Sequence, residues 1–188
     1  MCAANACLNL SLLTLLKMIR KIFLALCGVI GLVGLSGCKQ VDDERIPYAE
    51  VRLTFRTVGE WNLYGLPGDA ASARRYIFDP RTPSVKEPVD FPYTSLDRTG
   101  YGGLLLVADV IGDLYAFDLA CPVDIPKLSR LVIDSEELCV RCPDCGSTYE
   151  VFTNPGMPRS GPAAEHRYSL RRYHVSSGGA MEYRVITR

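Results

Sequence analysis

Four cysteines carry the chemical question in this chain of 188 residues. Cys139, Cys142 and Cys145 stand three apart in "CVRCPDCGSTY", and Cys121 lies upstream in "LACPVD". Soft thiolates presented from tight turns bind zinc or iron–sulfur centres, because such turns let ligands from distant parts of a chain converge. Cys142-Pro143-Asp144-Cys145-Gly146 reads as one such turn. Proline fixes one backbone angle, glycine frees another, and the two sulfurs can face one centre. Cys121-Pro122 reads as the second turn.

The other four of the eight cysteines lie ahead of any domain. From Met18 the chain runs "MIRKIFLALCGVIGLVGLSGC": Arg20 and Lys21, an uncharged apolar stretch, then small residues. That is the architecture of a signal peptide. Leu35-Ser36-Gly37-Cys38 resembles the lipobox of bacterial lipoproteins, which implies cleavage before Cys38 and diacylation of its thiol. The run from Ile22 to Gly37 falls short of the roughly 20 residues a membrane span needs. Residues 1–17 read as an over-called start, 18–37 as the signal, 38–47 as a polar tether and 48–188 as the domain. The expected location is the cell envelope, lipid-anchored to the membrane through Cys38 on its periplasmic or surface face. Cys121, Cys139, Cys142 and Cys145 then meet an oxidising space, where unpaired thiols rarely persist.

The 21 basic and 21 acidic side chains balance to zero. With no basic patch interleaved with aromatics, nothing points to nucleic acid as a partner.

The residues after the tether suffice for one domain with its own core. Short apolar runs rich in β-branched and aromatic residues recur between prolines and glycines: "AEVRLTF", "GGLLLVADV", "LYAFDLA", "RLVID", "ELCVRC", "TYEVF" and "RRYHV". They predict an all-β fold. Gly112-Asp113 predicts a two-residue hairpin turn. In the loop-like stretch from Gly65 to Arg98, "PGDAASARRY" predicts one short helical turn, and nothing else reads as helix. Period two places Cys139 and Cys142 on opposite faces of a strand unless a bulge intervenes.

"YAFDLACPVDI", "RCPDCGSTYEVF", "PGMPRSGPA", "LRRYHV" and "YRVITR" resemble a Rieske iron–sulfur domain in order and separation. The resemblance implies stacked antiparallel sheets, three in number, with two ligand loops meeting at one tip. In that family each loop offers a cysteine and a histidine, so that two cysteines bind one iron and two histidines the other. Cys121 and Cys142 fall on the family cysteines, and Val123 and Cys145 fall on the two histidine positions. Gly146, Ser147 and Tyr149 match the residues that follow, which implies that Ser147 and Tyr149 hydrogen-bond the sulfurs. Gly161-Pro162-Ala163 resembles the proline loop that covers the cluster. Both imidazole ligands are missing, since His166 and His174 lie beyond the second loop and His174 reads as an ordinary sheet residue. A two-histidine centre is therefore excluded.

Three readings of Cys121, Cys142, Cys145 and Cys139 stay open. Four thiolates suit a plant-type 2Fe-2S cluster, whose extra negative charge predicts a low potential and one-electron exchange with a redox partner. They suit one tetrahedral zinc equally well. Disulfides across the two loops would close about two dozen residues, worth roughly 3 kcal/mol, leave no cofactor, and make the domain a structural or envelope-protein-binding module. Other chemistry is not in view. "GLPGDAASA" lacks the lysine of a phosphate loop, and Ser95 and Asp97 have no histidine partner for hydrolase chemistry. Glu136 and Glu137 read as a solvated hairpin turn, and Trp61 as packing.

Overall fold

In a computed structural model the protein is described over residues 41–66, 68, 70–177 and 183–186. The early start, the signal and Cys38 lie outside these residues. No described helix is long and apolar enough to cross a membrane.

The architecture is antiparallel β throughout its two sheets. Eight strands form the larger one: β1 (Val51–Phe55), β2 (Ser72–Phe78), β3 (Lys86–Glu87), β4 (Arg98–Thr99), β5 (Leu104–Ala108), β6 (Leu114–Asp118), β11 (Arg172–Ser177) and β12 (Tyr183–Ile186). Their order is β3-β2-β5-β6-β11-β12-β1-β4. The smaller sheet runs β10-β9-β8-β7, from β7 (Val132–Asp134), β8 (Cys139–Arg141), β9 (Thr148–Glu150) and β10 (Met157–Ser160). Among the described residues the strands join into two hydrogen-bonded sheets rather than three. The cause is β11, which pairs with β6 at Arg172↔Phe117 and with β12 at Val175↔Val185, fusing two ribbons into one.

Strand β5 explains the uninterrupted apolar run "LLLVA". All five residues are buried, because side chains alternate between two cores. Leu104, Leu106 and Ala108 join Phe55, Trp61, Tyr76 and Phe91 on one face. Leu105 and Val107 face Phe117, Leu119, Leu131, Val140, Tyr149 and Phe152 on the other. The second core also receives Cys121, Cys142 and Cys145.

Three local expectations are corrected. Of the stretch 67–76, the described residues from Ser72 on run as strand rather than as a helical turn: the chain enters β2, where Ser72–Tyr76 pair with Ala108–Leu104. Helix appears instead at α1 (Val58–Tyr64), where the Thr57 side chain accepts the Glu60 N–H at 3.0 Å and the Glu60 carboxylate accepts the Arg56 N–H at 2.7 Å. This is a capping-box variant in which Glu60 reaches back to the residue before the cap, and it seats Trp61 5.1 Å edge-on to Phe55. The β5–β6 turn spans Asp109–Asp113 rather than two residues, since the Asp109 carboxylate accepts the N–H groups of Ile111 and Asp113 at 2.9 and 2.8 Å.

Part of the stretch read from the sequence as tether packs on the domain. The compact unit begins at Val41, and Ile46 is 1% exposed.

Candidate metal centre

Two loops leave the sheets at one end and meet. The first joins β6 to β7 and folds back on itself: Cys121 N–H donates to Ser129 O and Leu131 N–H to Leu119 O, each at 2.8 Å. A short 3-10 turn, Ile125–Lys127, closes its tip. Asp118 holds the base of this loop. Its carboxylate accepts the N–H groups of Tyr101, Gly102 and Ala120 at 2.8, 2.9 and 2.8 Å and the Tyr173 hydroxyl at 2.6 Å. Burial pushes this carboxyl up, against the pull of the four donors.

The second loop is the β8–β9 hairpin. Cys142 N–H donates to Ser147 O at 2.8 Å and Gly146 N–H to Cys142 O at 3.0 Å, with Gly146 at a positive φ of 70° that favours glycine. The tight turn brings Cys142 and Cys145 to the same side. Ser129 of the first loop donates its hydroxyl to the Asp144 carboxylate of the second, so the loops are clamped side chain to side chain.

The Sγ atoms of Cys121, Cys142 and Cys145 all lie within 4.8 Å of one another, and those of Cys121 and Cys145 are 3.6 Å apart. None of the described cysteines is in a disulfide. Three cysteines are thus close enough to bind a metal ion.

Cys139 is not among them. It lies on β8 against Asp134, and the charges nearest its thiol are Asp134, Arg141, Arg159 and Glu137. Val140 and Cys142, by contrast, pack in the second core. The strand's period of two holds without a bulge, and Cys139 is buried on the opposite face. His174 pairs with Ile186 within the sheet, and His166 stacks on Tyr168 at 5.2 Å.

No family model, curated protein or solved structure matches the chain. What the site can do follows from its own geometry.

Hydrogen-bond donors converge on the sulfurs. Tyr149 Oη lies 3.5 Å from Cys121 Sγ, and the Val123 N–H also points to that sulfur. The Cys145 thiol donates to Ser147 Oγ at 3.1 Å, and that oxygen also accepts the Ala163 N–H at 3.1 Å; once Cys145 is a thiolate, the Ser147 proton can turn to it. Burial pushes the Cys121 thiol up to about 12, with the neighbouring Cys142 thiol adding to burial and the Tyr149 and Val123 donors opposing it. Burial acts the same way on Cys145, but the hydroxyl and N–H of Ser147, joined by the Cys142 and Cys121 thiols, outweigh it and hold that thiol below its ordinary value. Pro162 opens helix α2 (Pro162–His166). Gly161 before it packs so closely that an added Cβ would sit 3.0 Å from Ser147 Cα. The position of Val123 is apolar and partly buried against the second core.

Sequence reasoning therefore named the three clustered cysteines and the Ser147 and Tyr149 donors, and added Cys139, which the structure places elsewhere. It missed Asp118 and the Ser129–Asp144 clamp. Neither carries a motif, because each works through backbone groups or one long-range contact.

Proposed function

We propose that the chain is an envelope-anchored β-domain whose Cys121, Cys142 and Cys145 thiolates hold a single soft metal ion of the zinc class. The observation that carries this reading is the sulfur spacing. A tetrahedral ion with metal–sulfur bonds of about 2.3 Å sets its thiolates roughly 3.8 Å apart. The 3.6 Å between Cys121 and Cys145 is close to that edge, and all three sulfurs fall within 4.8 Å. The donors around the sulfurs support it, since three thiolates on a divalent cation leave net negative charge that N–H and O–H groups stabilise.

The binuclear cluster implied by the Rieske resemblance does not fit these residues. It needs ligands on two irons, and thiolates on opposite irons of a sulfide-bridged pair sit farther apart than one tetrahedral edge. Val123 offers no ligand atom at one of the two positions, and Cys145 crowds towards Cys121. The ion's work in this reading is to fasten the first loop to the second at the tip. Among the described residues no fourth cysteine, histidine, aspartate or glutamate joins the group.

Anchoring rests on Cys38 and its lipobox. The test is metal and sulfide analysis of the mature chain purified anaerobically, with a thiol count after denaturation. One zinc-class ion per chain, no sulfide and four thiols is the expected result. Iron and sulfide near two per chain would overturn it in favour of an electron carrier. Absence of metal with absence of free thiols would overturn it in favour of a disulfide-stapled module.

A further inference from the structure

The segment ahead of β1 is docked on the rim of the three-thiol site. Asp42 N–H donates to Arg167 O at 3.0 Å and Ser169 N–H to Asp42 O at 2.9 Å, making a parallel bridge beside Tyr168. Arg45 Nε donates to Pro122 O at 3.0 Å, and its guanidinium lies 4.1 Å over the Tyr168 ring. Arg171 grips the Ile46 carbonyl at 2.6 Å. Pro122 directly follows ligand Cys121. Tyr168 N–H donates to Ala163 O at 2.9 Å, and it is Ala163 whose N–H holds Ser147 beside ligand Cys145. The first described residues are thus bonded to both halves of the site's surround.

Only Lys39 and Gln40 separate Cys38 from Val41. Three residue steps reach at most about 11 Å. The polar layer of one leaflet is itself roughly 7 Å deep, from the difference between total and hydrocarbon thickness. A diacylated Cys38 therefore holds Val41 within a few ångströms of the headgroups.

We infer that the tip bearing Cys121, Cys142 and Cys145 lies against the bilayer, so that the rim formed by residues 41–46, 122–128, 143–147 and 162–168 is a membrane-contact surface. This rests on the reading of Cys38 as the lipid anchor. The occupant is the lipid headgroup layer, and the argument for it is chain length: a leash this short ends on this face. The Asp109–Asp113 turn sits at the opposite end of β6 from the first ligand loop, roughly 20 Å away at strand rise, and faces away from the membrane. Anything approaching Cys121, Cys142 and Cys145 would then do so along the membrane surface.

The test uses the full precursor expressed in a lipidating bacterial host, with the mature protein placed in phosphatidylcholine vesicles. Hydrogen exchange is compared with soluble residues 39–188 mixed with the same vesicles. Amides of the rim segments should exchange about tenfold more slowly in the anchored protein, those of 109–113 at an unchanged rate. Inserting a long Gly/Ser linker between Gln40 and Val41 should abolish the slowing while metal content stays the same. A diacylated chain that shows no rim protection, or protection at 109–113 instead, overturns the inference. A mature mass lacking the diacylglyceryl group sinks the anchor reading and this inference with it, and loss of metal with protection intact sinks the ion reading alone.

Discussion

In the metal-free, reduced protein the two thiols that stand 3.6 Å apart should behave as opposites towards an alkylating agent. Only the thiolate reacts, so rate follows thiolate fraction and access. Cys121 is fully buried, and its thiol is pushed up from 9.0 to about 12. At pH 8 that cuts its thiolate fraction from about one tenth to about one ten-thousandth, a thousandfold loss before access is counted. Cys145 is partly exposed and sits below the ordinary thiol value through the Ser147 hydroxyl and N–H and the Cys142 and Cys121 thiols, which together overcome its burial. Iodoacetamide followed by peptide mass spectrometry should therefore find Cys145 modified first, with Cys121 slower by at least about a thousandfold at pH 8. The Cys121 rate should climb tenfold per pH unit until about 12. The same shift has a sign for stability. A thiol whose folded value lies above its unfolded one favours the fold below the unfolded value, so the metal-free domain should weaken as pH rises from about 9 towards 12. Alkylation of Cys121 at the Cys145 rate would refute the opposed roles of burial at one sulfur and hydrogen-bond donors at the other.

Four further changes have defined outcomes. Ser147→Ala leaves the Ala163 N–H without its acceptor and should cost about 1–3 kcal/mol in urea denaturation of the metal-free protein, with Cys145 alkylation slowed in parallel. Gly161→Ala forces a side chain onto a backbone at φ 74° and ψ −167° with its Cβ 3.0 Å from Ser147 Cα. Calorimetry should register a loss of about 1–3 kcal/mol, since that region is almost exclusive to glycine. Ile46→Ala should cost about 2–4 kcal/mol if residues 41–47 are packed as described, against a change within about 0.5 kcal/mol for a loose tether. Cys139→Ala should leave metal stoichiometry and affinity untouched while Cys121→Ala, Cys142→Ala and Cys145→Ala each abolish tight binding, as read by competition with a chromophoric chelator.

The strands were legible because their signal is collective. Alternation in "VRLTF" and the doubly buried "LLLVA" survive any one substitution, and both became strands in the places expected. The short helices were not. Helix α1 has seven residues, too few for a helical period to show, and it contains glycine, asparagine and valine, all poor formers. Its one readable mark was the Thr57-x-x-Glu60 capping pair, which carries meaning only once a helix is suspected. The error at Ser72–Tyr76 ran the other way. Alanines there read as helical, but pairing along the whole edge of β5 outweighs a propensity of a few tenths of a kcal/mol per residue. In the docked segment, Asp42, Asp43, Glu44 and Arg45 look like solvated linker because the bonds that fix it are mostly to backbone atoms, which no side-chain pattern announces.

The site shows where spacing stops being sufficient. Cys139, Cys142 and Cys145 have equal intervals, yet the first interval crosses extended strand and the second crosses a tight turn. Extended backbone turns Cys139 and Cys142 to opposite faces. The proline–glycine turn folds Cys142 and Cys145 onto one. That difference of backbone, not of residue type, reduces four thiols to three. It also bears on the metal proposed for the centre, because three sulfurs gathered within 4.8 Å suit one ion, whereas a pair of bridged irons needs ligands reaching in from two separate corners.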